Sequence, residues 1–266
     1  MFSDQKVILA GNTLHYFKYS KPIEYDYQKK ENQTYSRRKA EDRLSETQAG
    51  FNSNAYRARK AVQYLLQANA WEWLAESSPF RPVFITYTFA ECVTSLQQAN
   101  RDYGKFTKRL NYQVYGYKCS ELKYLVVPEF QKRGAVHYHS VYFNLPYVEK
   151  IYDFIGSVWG LGFSNVQAVD NIEHLTNYVS KYFSKQSSDH RFYGEKKYFT
   201  SRGLHKPREY RTPAVIETLL SSCEEPTYSK EFKSDYRTTQ YQCYTIPKKL
   251  KTSSLLPQLQ YSPVLP

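Results

Sequence analysis

Two histidines separated by one residue occur in the segment PEFQKRGAVHYHSVYFN, residues 128–144. The part around them reads as a β-strand, in which residues i and i+2 point to the same face. His137 and His139 are therefore expected side by side on one face of a sheet. Because burying two imidazoles without partners is costly, the pair predicts either a satisfied structural role or a metal site.

Glu129 supplies a third group of the same chemical kind. It ends the strand before the histidines, and a turn of three residues, Lys132-Arg133-Gly134, joins the two strands. Neighbouring strands lie about 5 Å apart, so the carboxylate can reach the histidine face. Two imidazoles and a carboxylate suit a divalent ion that also holds a substrate oxygen. The alternative is that Glu129 pairs with Lys132 or Arg133 across the turn.

The segment YVSKYFSK, residues 178–185, contains two tyrosines, each followed three residues later by a lysine. In a helix Tyr178 and Tyr182 lie one turn apart and share a stripe with Lys185, while Lys181 flanks it. The residues predicted to form the buried face of this helix are Ile172, Val179 and Phe183. A nearby ammonium group favours the phenolate, and an activated tyrosine can act as a covalent nucleophile. The alternative is a solvated face of tyrosine and lysine side chains.

The composition indicates which substrate such groups would act on. The chain has 266 residues, a net charge of +12 and 27 tyrosines. This charge favours a polyanionic partner, most simply nucleic acid. The possible metal site, the stripe of tyrosines and lysines and the positive charge together suit one reaction. In it, a metal polarises a phosphodiester, a tyrosine attacks phosphorus and a 3′-hydroxyl leaves.

Other classes of protein are disfavoured. The four cysteines show no CxxC pair, so neither a disulfide framework nor a zinc finger is expected. The N-terminal segment lacks the pattern of a signal peptide, and no apolar stretch is long enough to span a bilayer. We therefore expect a cytoplasmic protein without a membrane partner.

The elements that must position these residues follow the order βαββαβ. The sequence predicts strands at 82–89, 122–130, 135–143 and 163–169, helices at 95–113 and 148–159, and a further helix at 170–185. This order predicts an α+β fold, with an antiparallel split-βαβ sheet and helices packed on it. Extra strands are expected in an N-terminal hairpin, residues 7–20, with its turn at Gly11-Asn12, and at residues 226–247.

Three domains are predicted: an N-terminal hairpin with a basic helix (1–75), a catalytic core (76–205), and C-terminal strands with a flexible tail (206–266). A helix is expected at residues 54–69. The charged run at 28–43 is interpreted as a solvated linker or exposed helix, with a DNA-binding arm as the alternative. The Pro- and Ser-rich end, 252–266, is expected to be poorly ordered.

Three motifs in this order resemble those of the HUH endonucleases. HYH resembles the His-hydrophobe-His motif, and FITYT at 84–88, with Thr86 and Thr88, is similar to the first motif of the family, although Tyr87 replaces the usual leucine. YVSKYFSK closely resembles the Y-x-x-x-Y-x-x-K motif of two-tyrosine rolling-circle replication initiators of microviruses and some filamentous phages. The resemblance covers roughly residues 82–185, with weaker similarity through SRGLHKP.

This resemblance implies roles for individual residues. His137, His139 and Glu129 would bind Mg²⁺ or Mn²⁺, and Tyr178 and Tyr182 would be alternating nucleophiles. Lys181 and Lys185 would orient or stabilise the phenolates and the phosphate. The residues expected to contact DNA are Lys132, Arg133, Arg202 and Lys206.

The resemblance also implies an activity and partners. The protein would nick single-stranded origin DNA, form a 5′-phosphotyrosine, free a 3′-hydroxyl for rolling-circle replication and then rejoin the ends. No helicase motif is present, so a host helicase and polymerase in a prokaryotic cytoplasm are implied as partners. Alternative interpretations are an HUH relaxase or transposase, or a non-catalytic protein that binds single-stranded nucleic acid on a similar sheet.

Overall fold

The structure is a computed structural model that describes residues 2–25, 48–73, 82–169, 171–186 and 189–246. It divides into two compact units. One unit combines the two ends of the chain, Met1–Arg37 and His205–Pro266, and the other spans Arg38–Leu204. The charged run at 28–43 and the end at 252–266 lie outside the described residues. No helix in the described ranges combines the length and apolar character that crossing a membrane requires.

The central unit contains an antiparallel sheet with the strand order β6-β3-β5-β4-β7. Its strands are β3 (Val83–Phe89), β4 (Tyr124–Phe130), β5 (Val136–Tyr142), β6 (Gly162–Ala168) and β7 (Phe199–Thr200). Its helices are α1 (Gln48–Trp73), α2 (Leu96–Tyr115), α3 (Ile151–Trp159) and α4 (Ile172–Gln186). The predicted α+β class and βαββαβ order are confirmed, with bounds that mostly agree to within three residues; α1 is several residues longer at each end.

One face of this sheet is covered by α2 and α3. Ser95 caps α2 by accepting a hydrogen bond from the backbone N–H of Gln98, and Gly116 ends the helix with φ 76°. Apolar residues at helical spacing then face the sheet and form a core rich in aromatic side chains, including Tyr87, Tyr103, Phe106, Tyr138 and Trp159. This face of the sheet is therefore occupied by an aromatic core.

The opposite face is covered in part by α1 and α4. Val62 and Leu66 of α1 and Val179 and Phe183 of α4 pack with sheet residues into a second core. The sheet contributes Phe84, Leu125, Val127, Val141 and Phe143. Val179 and Phe183 are buried as the helical periodicity predicted, while the side chain of Ile172 lies outside what the structure describes. The ring of Tyr182 on α4 faces His139 of β5.

The unit formed by the chain ends contains a second five-stranded sheet, in the order β8-β1-β2-β10-β9. Its elements are β1 (Phe2–Ala10), β2 (Thr13–Glu24), β8 (Arg208–Tyr210), helix α5 (Pro213–Ser221), β9 (Tyr228–Lys233) and β10 (Thr238–Thr245). The hairpin turns at Gly11-Asn12 as predicted, with Gly11 at φ 63°. The N-terminal hairpin and the C-terminal strands, which the sequence analysis assigned to separate domains, pair in one sheet.

Replacing Gly162, the first residue of β6, is expected to have a large effect on the stability of the fold. Its φ is 151°, and a Cβ at this position would overlap the backbone oxygen of Thr88 and the backbone nitrogen of Ala90. Gly162→Ala should therefore lower the free energy of unfolding by roughly 2 kcal/mol or more. Gly104 of α2 is the matched control, because an added Cβ meets no described atom within 4 Å. Gly104→Ala should raise stability by up to about 1 kcal/mol.

Urea unfolding of both variants beside the wild type measures the two changes. A Gly162→Ala variant as stable as the wild type would contradict the close approach of β6 to β3.

Candidate active site

The register of the sheet brings the histidines and Glu129 together. His137 lies opposite Thr88 of β3 on one side and opposite Glu129 of β4 on the other. His139 lies in the next row on the same face, opposite Thr86 and Val127. The centroids of the two imidazole rings are 6.4 Å apart. Side chains from three neighbouring strands therefore meet on one face, including both threonines of the first motif.

A short hydrogen bond joins Glu129 to His139 across β4 and β5. The Nε2 of His139 lies 2.6 Å from Oε2 of Glu129, and both residues are buried. The Nδ1 of His139 lies 3.2 Å from the hydroxyl oxygen of Thr86. Because an ionised carboxylate only accepts hydrogen bonds, Nε2 donates to Glu129, and the Thr86 hydroxyl can donate to Nδ1. Thr86 and Glu129 thus hold the imidazole from both sides and fix its orientation.

The two tyrosines of α4 are packed directly over this group. The ring of Tyr182 stacks on the ring of His139, with centroids 3.6 Å apart and planes inclined by 13°. Tyr178 meets the edge of Tyr182 at 5.5 Å and the edge of Phe84 at 5.1 Å. Tyr182 is 7% exposed and Tyr178 is 38% exposed. Tyr182 is therefore the nearer of the two to the histidines, and Tyr178 borders solvent.

The surroundings of Tyr182 keep its hydroxyl protonated. Burial, a hydrogen bond with Tyr178 and the negative charge of Glu129 raise the pKa of Tyr182 well above its usual range. Burial is the largest of these contributions, and the effect of Lys181 and Lys185 on the phenolates stays a prediction. Lys181 has its Nζ 5.7 Å from the ring centroid of Tyr178. Lys185 is part of α4, and its side chain lies outside what the structure describes.

The two histidines and Glu129 are ligand types that bind divalent ions. His137, His139 and Glu129 offer two imidazoles and a carboxylate on one face. In the described residues, however, no three His, Cys, Asp or Glu side chains are arranged closely enough to form a ready-made metal site. In this structure Nε2 of His139 is hydrogen-bonded to Oε2 of Glu129.

The basic residues predicted to contact DNA are all exposed. Arg133 donates hydrogen bonds to the Gln131 side chain and to the backbone oxygen of Phe89. Lys132 lies beside it in the same turn. Arg202 lies in the loop after β7, and Lys206 belongs to the unit formed by the chain ends. Lys132 and Arg133 therefore lie in the turn next to Glu129, and a role in binding DNA stays a prediction for all four.

The structure adds residues to the site that the sequence analysis did not select. Phe84, the first residue of FITYT, has its ring centroid 6.0 Å from that of His139 in a stacked arrangement. Its ring also contacts that of Tyr178. Gln186, at the end of α4, is buried and donates to the backbone oxygens of Pro128 at 2.6 Å and Lys197 at 3.0 Å. Gln186 therefore ties the tyrosine helix to the strand that carries Glu129. In the sequence, the one feature that points to Gln186 as part of the site is its position directly after the Y-x-x-x-Y-x-x-K segment.

Comparison with known proteins gives one match. Residues 82–187 match the sequence model of a family of replication-associated proteins that is named after ORF2. Neither a search of curated proteins nor a search of solved structures finds a match. The matched range begins just before β3 and ends just after α4, so it contains both histidines, Glu129 and both tyrosines. This central part of the chain is therefore related to the replication-associated proteins of the ORF2 family.

Proposed function

We propose that the protein is a replication initiator that nicks single-stranded DNA at an origin and becomes linked to the new 5′ end through a tyrosine. The observation that carries this proposal is the stack of Tyr182 on His139, which is itself bonded to Glu129. In this arrangement a helix carries the tyrosines that would act as nucleophiles, and the sheet beneath it carries the histidines and the carboxylate that would bind a metal. The match to the ORF2 family of replication-associated proteins supports a role in replication.

In the proposed reaction, the hydroxyl oxygen of Tyr178 or Tyr182 forms a bond to phosphorus while the bond from phosphorus to O3′ breaks. The proton lost by the tyrosine balances the one gained by the leaving 3′-oxygen. The phosphotyrosine ester keeps the energy of the broken phosphodiester, so a later attack by a 3′-hydroxyl can rejoin DNA ends. Two tyrosines are useful because one holds the 5′ end while the other attacks the regenerated origin.

His137, His139 and Glu129 would hold Mg²⁺ or Mn²⁺, which when bound would polarise the phosphodiester as a Lewis acid. Thr86 keeps His139 oriented through Nδ1, and Phe84 supports both His139 and Tyr178. Lys181 would contribute positive charge beside Tyr178, and Lys185 the same farther along α4. Unwinding and synthesis would fall to a host helicase and polymerase.

The polarity of the covalent product tests this proposal. A pool of random single-stranded oligonucleotides, labelled at either end, is incubated with the protein and Mn²⁺ and separated in SDS. We expect 3′-labelled strands to give labelled protein, and 5′-labelled strands to give free, shortened fragments that a DNA polymerase can extend. A duplex pool serves as the control for strand state. Protein that binds the strands but never retains a 3′ label would contradict the tyrosine mechanism.

A further inference from the structure

The site's face of the sheet has an open border at β6. Phe163, Asn165 and Gln167 alternate along this strand, and all three are exposed or partly exposed, Phe163 by 68%. The register places them opposite Thr88, Thr86 and Phe84 of β3, respectively. They therefore lie on the same face as the histidines, and we call these three residues the β6 ledge.

The β6 ledge differs from the rest of that face. On β3, β5 and β4 the face is packed against apolar residues of α1 and α4. On β6, the buried residue is Val166, which points to the opposite core. The edge strand thus presents its polar residues and one large aromatic ring to solvent, next to a covered site.

The β6 ledge is continuous with both parts of the site. Phe163 is in the same row as Thr88 and His137, two strands away, a distance of roughly 10 Å. Gln167 is beside Phe84, which contacts Tyr178. A strand of DNA whose phosphate lies between the histidines and the tyrosines would therefore place a neighbouring nucleotide over this ledge.

The three side chains have the chemistry of base recognition. A phenylalanine ring offers a stacking surface to an unpaired base of any kind. Asparagine and glutamine amides each carry a donor and an acceptor, which suit the edges of bases. Single-stranded nucleic acid is recognised by this combination of stacking and edge contacts on open sheets. Because the ledge has no charged side chain, it suits bases better than phosphates.

We propose that the β6 ledge binds unpaired bases next to the scissile phosphate, with Phe163 stacking on one base and Asn165 and Gln167 selecting its neighbours. This assignment rests on the proposed function for the place of the phosphate. A protein or membrane partner fits less well, since Phe163 is the single large apolar residue of the ledge and such partners need a larger apolar patch.

Binding without cleavage tests the ledge separately from the chemistry. A fluorescein-labelled random single strand is titrated at one fixed salt concentration in EDTA, and anisotropy is recorded. Phe163→Ala should weaken the affinity for single-stranded DNA on the order of tenfold. Phe163→Trp, which keeps an aromatic ring, should bind about as tightly as the wild type. Tyr152→Ala is the matched control, because Tyr152 is 63% exposed on α3, which covers the other face. Its affinity should equal that of the wild type.

Sequence preference provides the second measurement. Strands captured as covalent products from a random library are sequenced for the wild type and for Asn165→Ala with Gln167→Ala. The double variant should lose preference at one or two positions beside the cleaved bond.

The outcomes separate the two proposals. Weaker binding by Phe163→Ala without any covalent product in the wild type would support the ledge and contradict the nicking mechanism. Unchanged affinity of Phe163→Ala would overturn the ledge whether or not the wild type nicks DNA. Where the wild type nicks DNA, an unchanged sequence preference of the double variant would overturn the assignment of Asn165 and Gln167. Equal losses by Phe163→Ala and Tyr152→Ala would also overturn it.

Discussion

Replacing Tyr178 and Tyr182 together with phenylalanine is expected to reduce the covalent protein–DNA product by about 10³-fold or more. The change removes only the two hydroxyl groups and keeps the rings, so the stack on His139 and the edge contact with Phe84 are retained. In the proposed mechanism, α4 then has no tyrosine hydroxyl left to attack phosphorus. The amount of labelled protein in SDS, after incubation with single strands and Mn²⁺, measures the effect.

The single variants separate the roles of the two hydroxyls. Tyr178→Phe and Tyr182→Phe should each keep some single-round cleavage, because the other tyrosine can replace the lost one. Each should fail in repeated rounds of replication, which need a second unoccupied tyrosine. Tyr152→Phe, an exposed tyrosine on α3, should match the wild type. A covalent product from the double variant at the wild-type level would move the nucleophile elsewhere, and normal repeated rounds by one single variant would exclude alternation.

The second large effect is expected at the histidines. His137→Ala combined with His139→Ala should lower the cleavage rate by at least about 10²-fold, because a metal acting as a Lewis acid contributes several kcal/mol to catalysis. Affinity for single-stranded DNA should remain mostly intact, because it comes chiefly from lysine and arginine contacts to phosphates. Cleavage is measured on labelled strands and binding by anisotropy in EDTA.

Because His139 is buried beneath Tyr182, alanine there could also weaken folding. His137→Asn with His139→Asn keeps more of the volume and some polarity, and should give the same loss of cleavage with less loss of stability. His190→Ala is the matched control, at an exposed histidine outside α4 and the sheet. EDTA should stop cleavage by the wild type, and Mn²⁺ should restore it. A double variant that cuts at the wild-type rate would exclude these histidines as ligands.

Much of the central unit could be predicted from the sequence because its signals are local. Alternation over 135–143 placed His137 and His139 on one face, and the short turn at 132–134 brought Glu129 beside them. The 3.6-residue periodicity correctly buried Val179 and Phe183. These patterns report which residues share a face, and that is sufficient when neighbouring strands follow each other in the chain.

Contacts between distant elements could not be predicted in this way. Periodicity does not indicate that Tyr182 would lie on His139, because that contact depends on how α4 packs across the sheet. Nor does it indicate that burial against the sheet would raise the pKa of Tyr182. The pairing of β2 with β10 joins residues more than 200 positions apart, and no local pattern specifies such a partner.

The most direct test of the proposed mechanism is to identify the amino acid that carries the DNA. Wild-type protein is trapped with single-stranded DNA and Mn²⁺, the DNA is digested to its last nucleotide, and the tryptic peptides are sequenced by mass spectrometry. The mechanism predicts a 5′-nucleotide phosphate on Tyr178 or Tyr182. In each single phenylalanine variant, the nucleotide should be found on the tyrosine that remains. A nucleotide found on any residue outside α4 would contradict it.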